Sequence, residues 1–114
     1  MQPEQGEIYD AWAGGETWRP VLVVSRRELN GGRYVVAVPF TSAQFDKRRD
    51  LPNCVPFAAG DCGLTKDCVA QADAISVIPI DQINLEQGPI GRVSDEQLRD
   101  VILAIQYVIA AEDF

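Results

Sequence analysis

Two apolar runs joined by a turn signal place the strongest constraint on how this chain can fold. Residues 20–25 form a nearly continuous β-branched run, which is the pattern of a strand covered on both faces. Residues 34–38 form a second run, and Asn30-Gly31-Gly32 between the two favours an antiparallel hairpin. Pro39 lacks a backbone N–H, so it predicts that the second strand ends there or lies at a sheet edge.

Shorter strand candidates lie on both sides of this hairpin. Residues 6–12 alternate enough to form a first strand, whereas residues 45–50 carry Lys47-Arg48-Arg49 and are expected to be a charged loop. Many short strands predict a small, strongly bent antiparallel sheet or an open barrel. The later strand candidates are residues 53–57, 67–72, 74–80 and 88–93.

One long helix is predicted at the C-terminal end. Ser94 is a good N-cap, and Gln97 stands three residues later, where it completes a capping box. The apolar residues that follow repeat at helical spacing and indicate one buried face. That face comprises Leu98, Val101, Ile102, Ile105, Val108 and Ile109. The expected fold class is therefore mainly β, with a C-terminal α-helix.

The length and the absence of long apolar runs limit the class of protein. A chain of 114 residues is expected to form a single domain, residues 1–114, with a core that needs no disulfide. No apolar run approaches the roughly 20 residues of a membrane span, and the N-terminus lacks the features of a secretion signal. We therefore expect a cytoplasmic protein that makes no membrane contact.

The chain contains no histidine, which restricts its chemistry more than any other feature of composition. Nucleophilic triads and histidine-based acid–base catalysis are excluded. The three cysteines are irregularly spaced and form no zinc motif, so we expect reduced thiols, no metal site and no cofactor. Any catalysis must use arginine, lysine, carboxylates, hydroxyls or backbone amides.

The charge distribution is uneven. The net charge is -7, yet residues 1–50 hold seven bases and seven acids, while residues 51–114 hold three bases and ten acids. A negative total argues mildly against a polyanionic partner. Because steering depends on the local field, a basic face remains workable within the first half.

Polar groups interrupt the apolar runs where two strands begin and end. Arg19 precedes the first run, and Thr41 and Ser42 follow the second. A guanidinium fork suits a phosphate group better than an ammonium does. The alternative is structural, because Arg19 could be solvated or paired with Glu16, and hydroxyls at strand ends often cap turns.

Nearby basic and aromatic residues extend this candidate anion site. Lys47, Arg48 and Arg49 could grip a nucleic-acid backbone, although such a run is also typical of a solvated loop. Trp18 could stack against bases, as aromatic residues do in single-strand binding, or could simply be buried.

Six sequence blocks follow one another in a recognisable order. They are Gly6-Glu7-Ile8-Tyr9, Arg19-Pro20-Val21-Leu22-Val23-Val24-Ser25, Val36-Ala37-Val38-Pro39-Phe40-Thr41-Ser42, Leu51-Pro52, Gly63-Leu64-Thr65-Lys66-Asp67-Cys68-Val69 and the final amphipathic helix. Their order and spacing over residues 6–110 resemble those of the MazF/PemK (Kid) toxin family.

This resemblance implies an SH3-like barrel with a C-terminal helix, assembled as a homodimer. It implies metal-independent, sequence-specific cleavage of single-stranded RNA through the ribose 2′-hydroxyl, leaving a 2′,3′-cyclic phosphate and a 5′-hydroxyl. It also implies a MazE/PemI-like antitoxin partner. The family's catalytic arginine and threonine match Arg19 and Thr41, and Ser25 and Ser42 match positions near the site.

Two other functions are compatible with the same residues. A non-catalytic toxin similar to CcdB would inhibit another protein by binding it, but such a protein does not need both Arg19 and Thr41 at one site. An autoregulatory DNA-binding protein is the third reading, and the one clear helix has too broad an apolar face to serve as a recognition helix.

Overall fold

The fold is a bent antiparallel sheet with a helix packed against one of its faces. A computed structural model of the chain describes residues 2–13 and 17–114. Within these residues the strand order is β4-β5-β3-β2-β1-β7. Strand β6 also pairs with β3, along the edge of β3 that faces away from β2. The strands are β1 (Glu7–Ala13), β2 (Thr17–Val23), β3 (Tyr34–Thr41), β4 (Cys54–Phe57), β5 (Cys68–Gln71), β6 (Ser76–Pro79) and β7 (Gly91–Arg92). The predicted class, a small antiparallel barrel with a C-terminal helix, is confirmed.

The predicted β2–β3 hairpin is present, but two local predictions around it were wrong. The connection is a helical turn, α1 (Arg27–Asn30), and not a tight turn alone. Pro39 does not end β3, which continues to Thr41. Pro39 pairs with Val21 of β2, and the next two residues pair with β5 instead, so the proline stands where β3 passes from one neighbour to the other.

The charged segment after β3 is also more ordered than expected. Residues 45–50 were predicted to be a loop, yet Phe45–Arg48 forms the helical turn α2. Gln44 precedes it with a left-handed backbone, at φ of 53°. This turn directs the chain away from the end of β3 and on towards β4.

The C-terminal helix α3 (Asp95–Val108) begins as predicted. The Ser94 hydroxyl accepts the Gln97 backbone N–H at 3.1 Å, and the Gln97 side chain accepts the Ser94 N–H at 2.8 Å. Both halves of the capping box are therefore formed. Val101 is fully buried against the inner face of the sheet, whereas Ile109, which was predicted to share that face, lies beyond the helix and is exposed.

Two hydrophobic clusters hold the sheet together. One lies between the sheet and α3, and the other lies on the opposite face, beneath residues 78–85. Strand alternation separates them, because Ile8 and Leu22 point into the first while Tyr9 and Val21 point into the second. None of the helices in the described part of the chain has the length and apolarity to cross a membrane.

Candidate active site

A cleft of about 410 Å³ lies where β2 begins and β3 ends, beside the turn that leads into β5. Side chains from three separate segments form its walls, so no single sequence motif defines it. The lining residues are Thr17, Trp18, Arg19, Pro20, Phe40, Thr41, Ser42, Ala43, Leu64, Thr65, Lys66 and Cys68. Four residues predicted from the sequence are among them: Trp18, Arg19, Thr41 and Ser42.

Strand register explains why Arg19 and Thr41 meet at this cleft. Val21 on β2 pairs with Pro39 on β3, and Arg19 and Thr41 each lie two residues further along, towards the same end of the hairpin. The β2–β3 pairing stops at Val21 and Pro39, so Arg19 and Thr41 lie just beyond the paired residues, where both line the cleft.

The Thr41 hydroxyl is held in place by the backbone that follows it. Its oxygen accepts the Ala43 N–H at 3.2 Å, which leaves the hydroxyl proton available for donation. Thr41 itself is half-buried, and its backbone is fixed by pairing with Val69 of β5. This arrangement gives the cleft an oriented neutral donor beside the exposed cation of Arg19.

The electrostatic character of the cleft is opposite to that of the whole chain. Arg19 and Lys66 line it, and no acidic residue does among the residues described. The ion pairs between described residues involve Arg26, Arg27 and Arg92, so neither cleft cation has a described carboxylate partner within 4.0 Å. The described lining thus provides two positive charges for an anion in a protein with a net charge of -7.

Lys66 lines the cleft although it was not among the candidate site residues named from the sequence, and within the described part of the chain it forms no ion pair with its neighbour Asp67. The Asp67 carboxylate instead accepts the backbone N–H of Ala59 at 2.8 Å. Lys66 precedes Cys68 by two residues and both line the cleft, so strand alternation carried back from β5 is the signal that could have indicated Lys66.

Trp18 forms the aromatic wall of the cleft. Its ring lies edge-on to that of Trp12, with centroids 5.2 Å apart, and the two residues are paired across β1 and β2. Trp18 remains 44% exposed. A large exposed aromatic surface beside two cations is suited to stacking with a base. The residues between these strands, 14–16, lie outside the described part of the chain, and so does the possible Glu16 partner of Arg19.

The cysteine in the cleft is a poor nucleophile. Burial raises the pKa of the Cys68 thiol to about 11, and the nearby Asp67 charge adds to this effect. The thiol is therefore protonated at neutral pH and contributes neutral surface. Among the described residues, no three cysteine, aspartate or glutamate side chains converge as a metal ion would require.

Ser25 does not reach the cleft, contrary to the expectation for this residue. It is only 8% exposed, its hydroxyl donates to the Asn30 side-chain oxygen, and its oxygen accepts the Val36 N–H at 2.9 Å. Asn30 in turn donates to the carbonyl oxygen of Pro3 at 3.1 Å. The position of Ser25 thus supports a structural role rather than contact with a substrate.

Lys47, Arg48 and Arg49 lie on the segment after the cleft and do not line it. Arg49 stacks over the Phe45 ring, with 5.2 Å between the guanidinium carbon and the ring centroid. The Asn53 hydrogen bond lowers the pKa of Asp73, and the charge of Arg48 adds a smaller effect in the same direction, so Arg48 lies near Asp73 in the turn after β5. These three cations extend the basic surface beyond Ser42 and Ala43.

The family of this chain can be assigned from its whole length. A family model described as "PemK-like, MazF-like toxin of type II toxin-antitoxin system" matches residues 4–109. The chain belongs to the PemK/MazF toxin family. This family is known for endoribonucleases, and the resemblance noted from the sequence blocks is thereby confirmed. A comparison with curated proteins gives no match.

Solved structures of similar fold include toxins of mycobacteria and of Deinococcus radiodurans. An endoribonuclease in complex with its cognate antitoxin, from mycobacterial species, is 26% identical, with a TM-score of 0.76 and 95% of each chain covered. The Mycobacterium tuberculosis toxin MazF-mt6 is 24% identical, with a TM-score of 0.76, covering 91% of this chain and 96% of its own. A MazE-MazF structure from Deinococcus radiodurans is 19% identical, with a TM-score of 0.72 and 96% of each chain covered.

Proposed function

We propose that this protein is a metal-independent endoribonuclease toxin that cleaves single-stranded RNA in the cytoplasm. The observation that carries the proposal is the composition of the cleft, which combines two cations, an oriented hydroxyl and an exposed tryptophan, with no acid in its described lining. Family membership supports the same reaction class. A protein-binding surface would have no comparable need for two cations and no described acid in a concave site.

The chemistry follows from groups that the substrate itself supplies. The ribose 2′-hydroxyl attacks the adjacent phosphorus and gives up its proton to solvent. The bond from phosphorus to the 5′-oxygen breaks and that oxygen takes up a proton from solvent, so the products are a 2′,3′-cyclic phosphate and a 5′-hydroxyl. The protein has to position the chain and stabilise the extra negative charge on phosphorus. The reaction then needs no histidine or protein nucleophile.

The cleft residues take separate roles in this reaction. Arg19 holds two phosphate oxygens through its guanidinium fork and stabilises the transition state. Thr41 donates a hydrogen bond from its hydroxyl to the scissile phosphate, and Ser42 adds a second hydroxyl next to it. Lys66 provides a further positive charge from the segment that leads into β5.

The bound strand continues beyond the reacting phosphate on both sides. Trp18 stacks on a base at one end of the cleft. Further phosphates of the strand contact the basic residues Lys47, Arg48 and Arg49, because α2 follows the cleft residues Ser42 and Ala43 directly in the chain. Those contacts are sequence-independent and should weaken with rising salt.

The test is cleavage of a long single-stranded RNA by purified protein in EDTA, followed by mapping of the 5′ ends. Arg19→Ala is expected to lower the cleavage rate by at least roughly 100-fold, in line with the loss of one transition-state donor. Thr41→Ala is expected to lower it to a smaller but clear extent. Arg33→Ala, which removes an exposed arginine outside the cleft, is the matched control and should retain the parental rate.

Two results would reject this function. Absence of cleavage by the folded parental protein would favour a non-catalytic toxin that acts by binding another protein. Undiminished cleavage by Arg19→Ala would show that the reaction takes place elsewhere or belongs to a contaminating nuclease.

The family and the similar structures also support two protein partners. We propose that an antitoxin encoded beside this chain covers the cleft, since the mycobacterial endoribonuclease of similar fold forms a complex with its cognate antitoxin. We further propose a homodimer that uses the exposed apolar face of α3. Leu103 and Tyr107 on that face are 54% and 51% exposed, and they flank a groove against Val55 of β4.

A further inference from the structure

A second concavity opens directly from the cleft. It measures about 430 Å³ and shares Trp18, Pro20, Leu64 and Thr65 with the cleft lining. The rest of its lining comprises Asp10 of β1, Gly63, Gln87, Pro89 and Ile90. A nucleotide whose phosphate lies in the cleft could therefore place its base here, and we refer to this concavity as the base slot.

Two side chains of the base slot, Asp10 and Gln87, each carry an oxygen that can accept a further hydrogen bond. One carboxylate oxygen of Asp10 accepts the side-chain N–H of Gln87 at 3.1 Å. Among the described residues, no hydrogen bond reaches the second Asp10 oxygen or the Gln87 amide oxygen. The Gln87 amide is oriented by the carboxylate, since only its NH₂ can donate to Asp10.

The backbone around these two side chains is fixed, so the acceptors are built into the fold. The Asn84 N–H donates to the Asp10 carbonyl oxygen at 2.9 Å, which joins this loop to β1. The Asn84 side-chain oxygen then accepts the Gln87 N–H at 3.1 Å. Gly88 follows in a left-handed conformation, with φ of 82°, which an L side chain would strain.

The remaining walls of the slot suit a flat aromatic ring. Pro20, Leu64 and Pro89 provide apolar surface, and Trp18 offers an exposed ring face for stacking. An acidic side chain placed here repels the RNA backbone less than it would in the cleft, because an uncharged base lies between it and the phosphates. The slot thus separates base contact from phosphate contact.

We propose that the base slot selects guanine, with Asp10 and Gln87 accepting its two adjacent Watson–Crick donors, the N1–H and the N2 amino group. Guanine presents two neighbouring donors on this edge, whereas adenine, cytosine and uracil each present one donor beside an acceptor. An acceptor facing an acceptor leaves a desolvated polar group unpaired, which disfavours the other bases. This inference rests on the proposed function in that it takes RNA as the substrate.

Binding of non-cleavable RNA tests the slot independently of catalysis. The probes are fluorescent 2′-O-methyl uridine hexamers that carry one central guanine, adenine, cytosine or uracil, and the readout is fluorescence anisotropy. The guanine hexamer is expected to bind about tenfold more tightly than the other three, which corresponds to about 1.4 kcal/mol.

Variants of the two acceptors complete the test. Asp10→Asn exchanges an acceptor for a donor and should bring the four affinities within about twofold of one another, while binding of the uracil hexamer is unchanged. Gln87→Met should reduce the guanine preference through the second acceptor and guards against misfolding of the first variant. Asp81→Asn removes an exposed charge outside the slot and should keep the parental preference.

The results separate this inference from the proposed function. Equal affinity for all four hexamers, no binding of any of them, or a guanine preference that survives Asp10→Asn would overturn the slot assignment. A guanine preference lost in Asp10→Asn, in a protein that cleaves no unmodified RNA, would support the slot and reject the endoribonuclease. Cleavage of unmodified RNA by a protein that binds the four hexamers without guanine preference would support the endoribonuclease and reject the slot.

Discussion

Replacing Asn30 by alanine is expected to destabilise this protein strongly, although Asn30 is a polar residue far from the cleft. Asn30 is 2% exposed. Its amide donates to the carbonyl oxygens of Pro3 and Ser25 at 3.1 and 3.0 Å, and its oxygen accepts the Ser25 hydroxyl. Asn30 therefore ties the N-terminal segment and the β2–β3 connection together.

The size of the effect follows from these three bonds. A buried hydrogen bond contributes about 1 kcal/mol net, so Asn30→Ala should lower the free energy of unfolding by about 3 kcal/mol. For a chain of this length, 1 kcal/mol corresponds to about 4 °C, which predicts a fall of about 12 °C in Tm. Ser25→Ala removes the hydrogen bond that the hydroxyl donates to Asn30 and the one that it accepts from the Val36 N–H, and should lower Tm by about 8 °C.

Thermal unfolding followed by circular dichroism measures this effect. The matched control is Asn53→Ala, which removes one exposed hydrogen bond to Asp73, of 2.8 Å, and should shift Tm by less than about 4 °C. Cleavage assays well below the Tm should find Ser25→Ala as active as the parent. A Tm for Asn30→Ala within about 2 °C of the parental value would show that the three buried bonds do not stabilise the fold as expected.

Three further predictions concern the helix, the buried thiol and the aromatic wall. Ile105 packs against the hydrophobic cluster between the sheet and α3, so Ile105→Asp should lower the free energy of unfolding, measured by urea titration, by about 3 kcal/mol. Gln106 is exposed, and Gln106→Asp should change that free energy by no more than about 0.5 kcal/mol. Equal effects of the two substitutions would contradict this packing. Burial raises the pKa of Cys68 from 9.0 to about 11. Between about pH 9 and pH 11 the native thiol therefore keeps a proton that the unfolded chain loses. The contribution of Cys68 to the free energy of unfolding should fall as the pH rises through this range. Its alkylation by iodoacetamide, followed by mass spectrometry, should be slow at about pH 7.5, and rapid labelling there would disprove a buried thiol. Trp18→Ala should weaken single-stranded RNA binding about tenfold, whereas Tyr34→Ala, which removes an exposed aromatic residue elsewhere, should not; equal losses would show that Trp18 does not stack on bases.

Local signals predicted those elements whose energetics are local. The helix α3 followed from Ser94 and Gln97, because a capping box acts within four residues. The β2–β3 hairpin followed from two β-branched runs. The end of β3 was predicted wrongly from Pro39, because β3 continues to Thr41. A proline interrupts a strand only where a neighbouring strand needs its N–H as a hydrogen-bond donor, and the sequence does not show towards which neighbour that N–H would point.

The site was only partly predictable, because its contacts span distant segments. Arg19 and Thr41 stood out as polar groups at the ends of apolar runs. Ser25 had the same appearance, but its partner Asn30 lies across a turn that the sequence did not predict to be helical. Asp10 and Gln87 are 77 residues apart, and no periodic pattern links them. Topology, rather than residue type, brings these groups together.

Removal of a single 2′-hydroxyl from the substrate is the sharpest test of the proposed chemistry. Once the cut site of an RNA oligonucleotide is mapped, the same oligonucleotide is made with one 2′-deoxynucleotide on the 5′ side of the scissile phosphate. We predict that the protein binds this oligonucleotide with nearly unchanged affinity and does not cut it, while the all-ribose oligonucleotide yields a 2′,3′-cyclic phosphate. Cleavage of the 2′-deoxy oligonucleotide at the parental rate would contradict attack by the ribose hydroxyl.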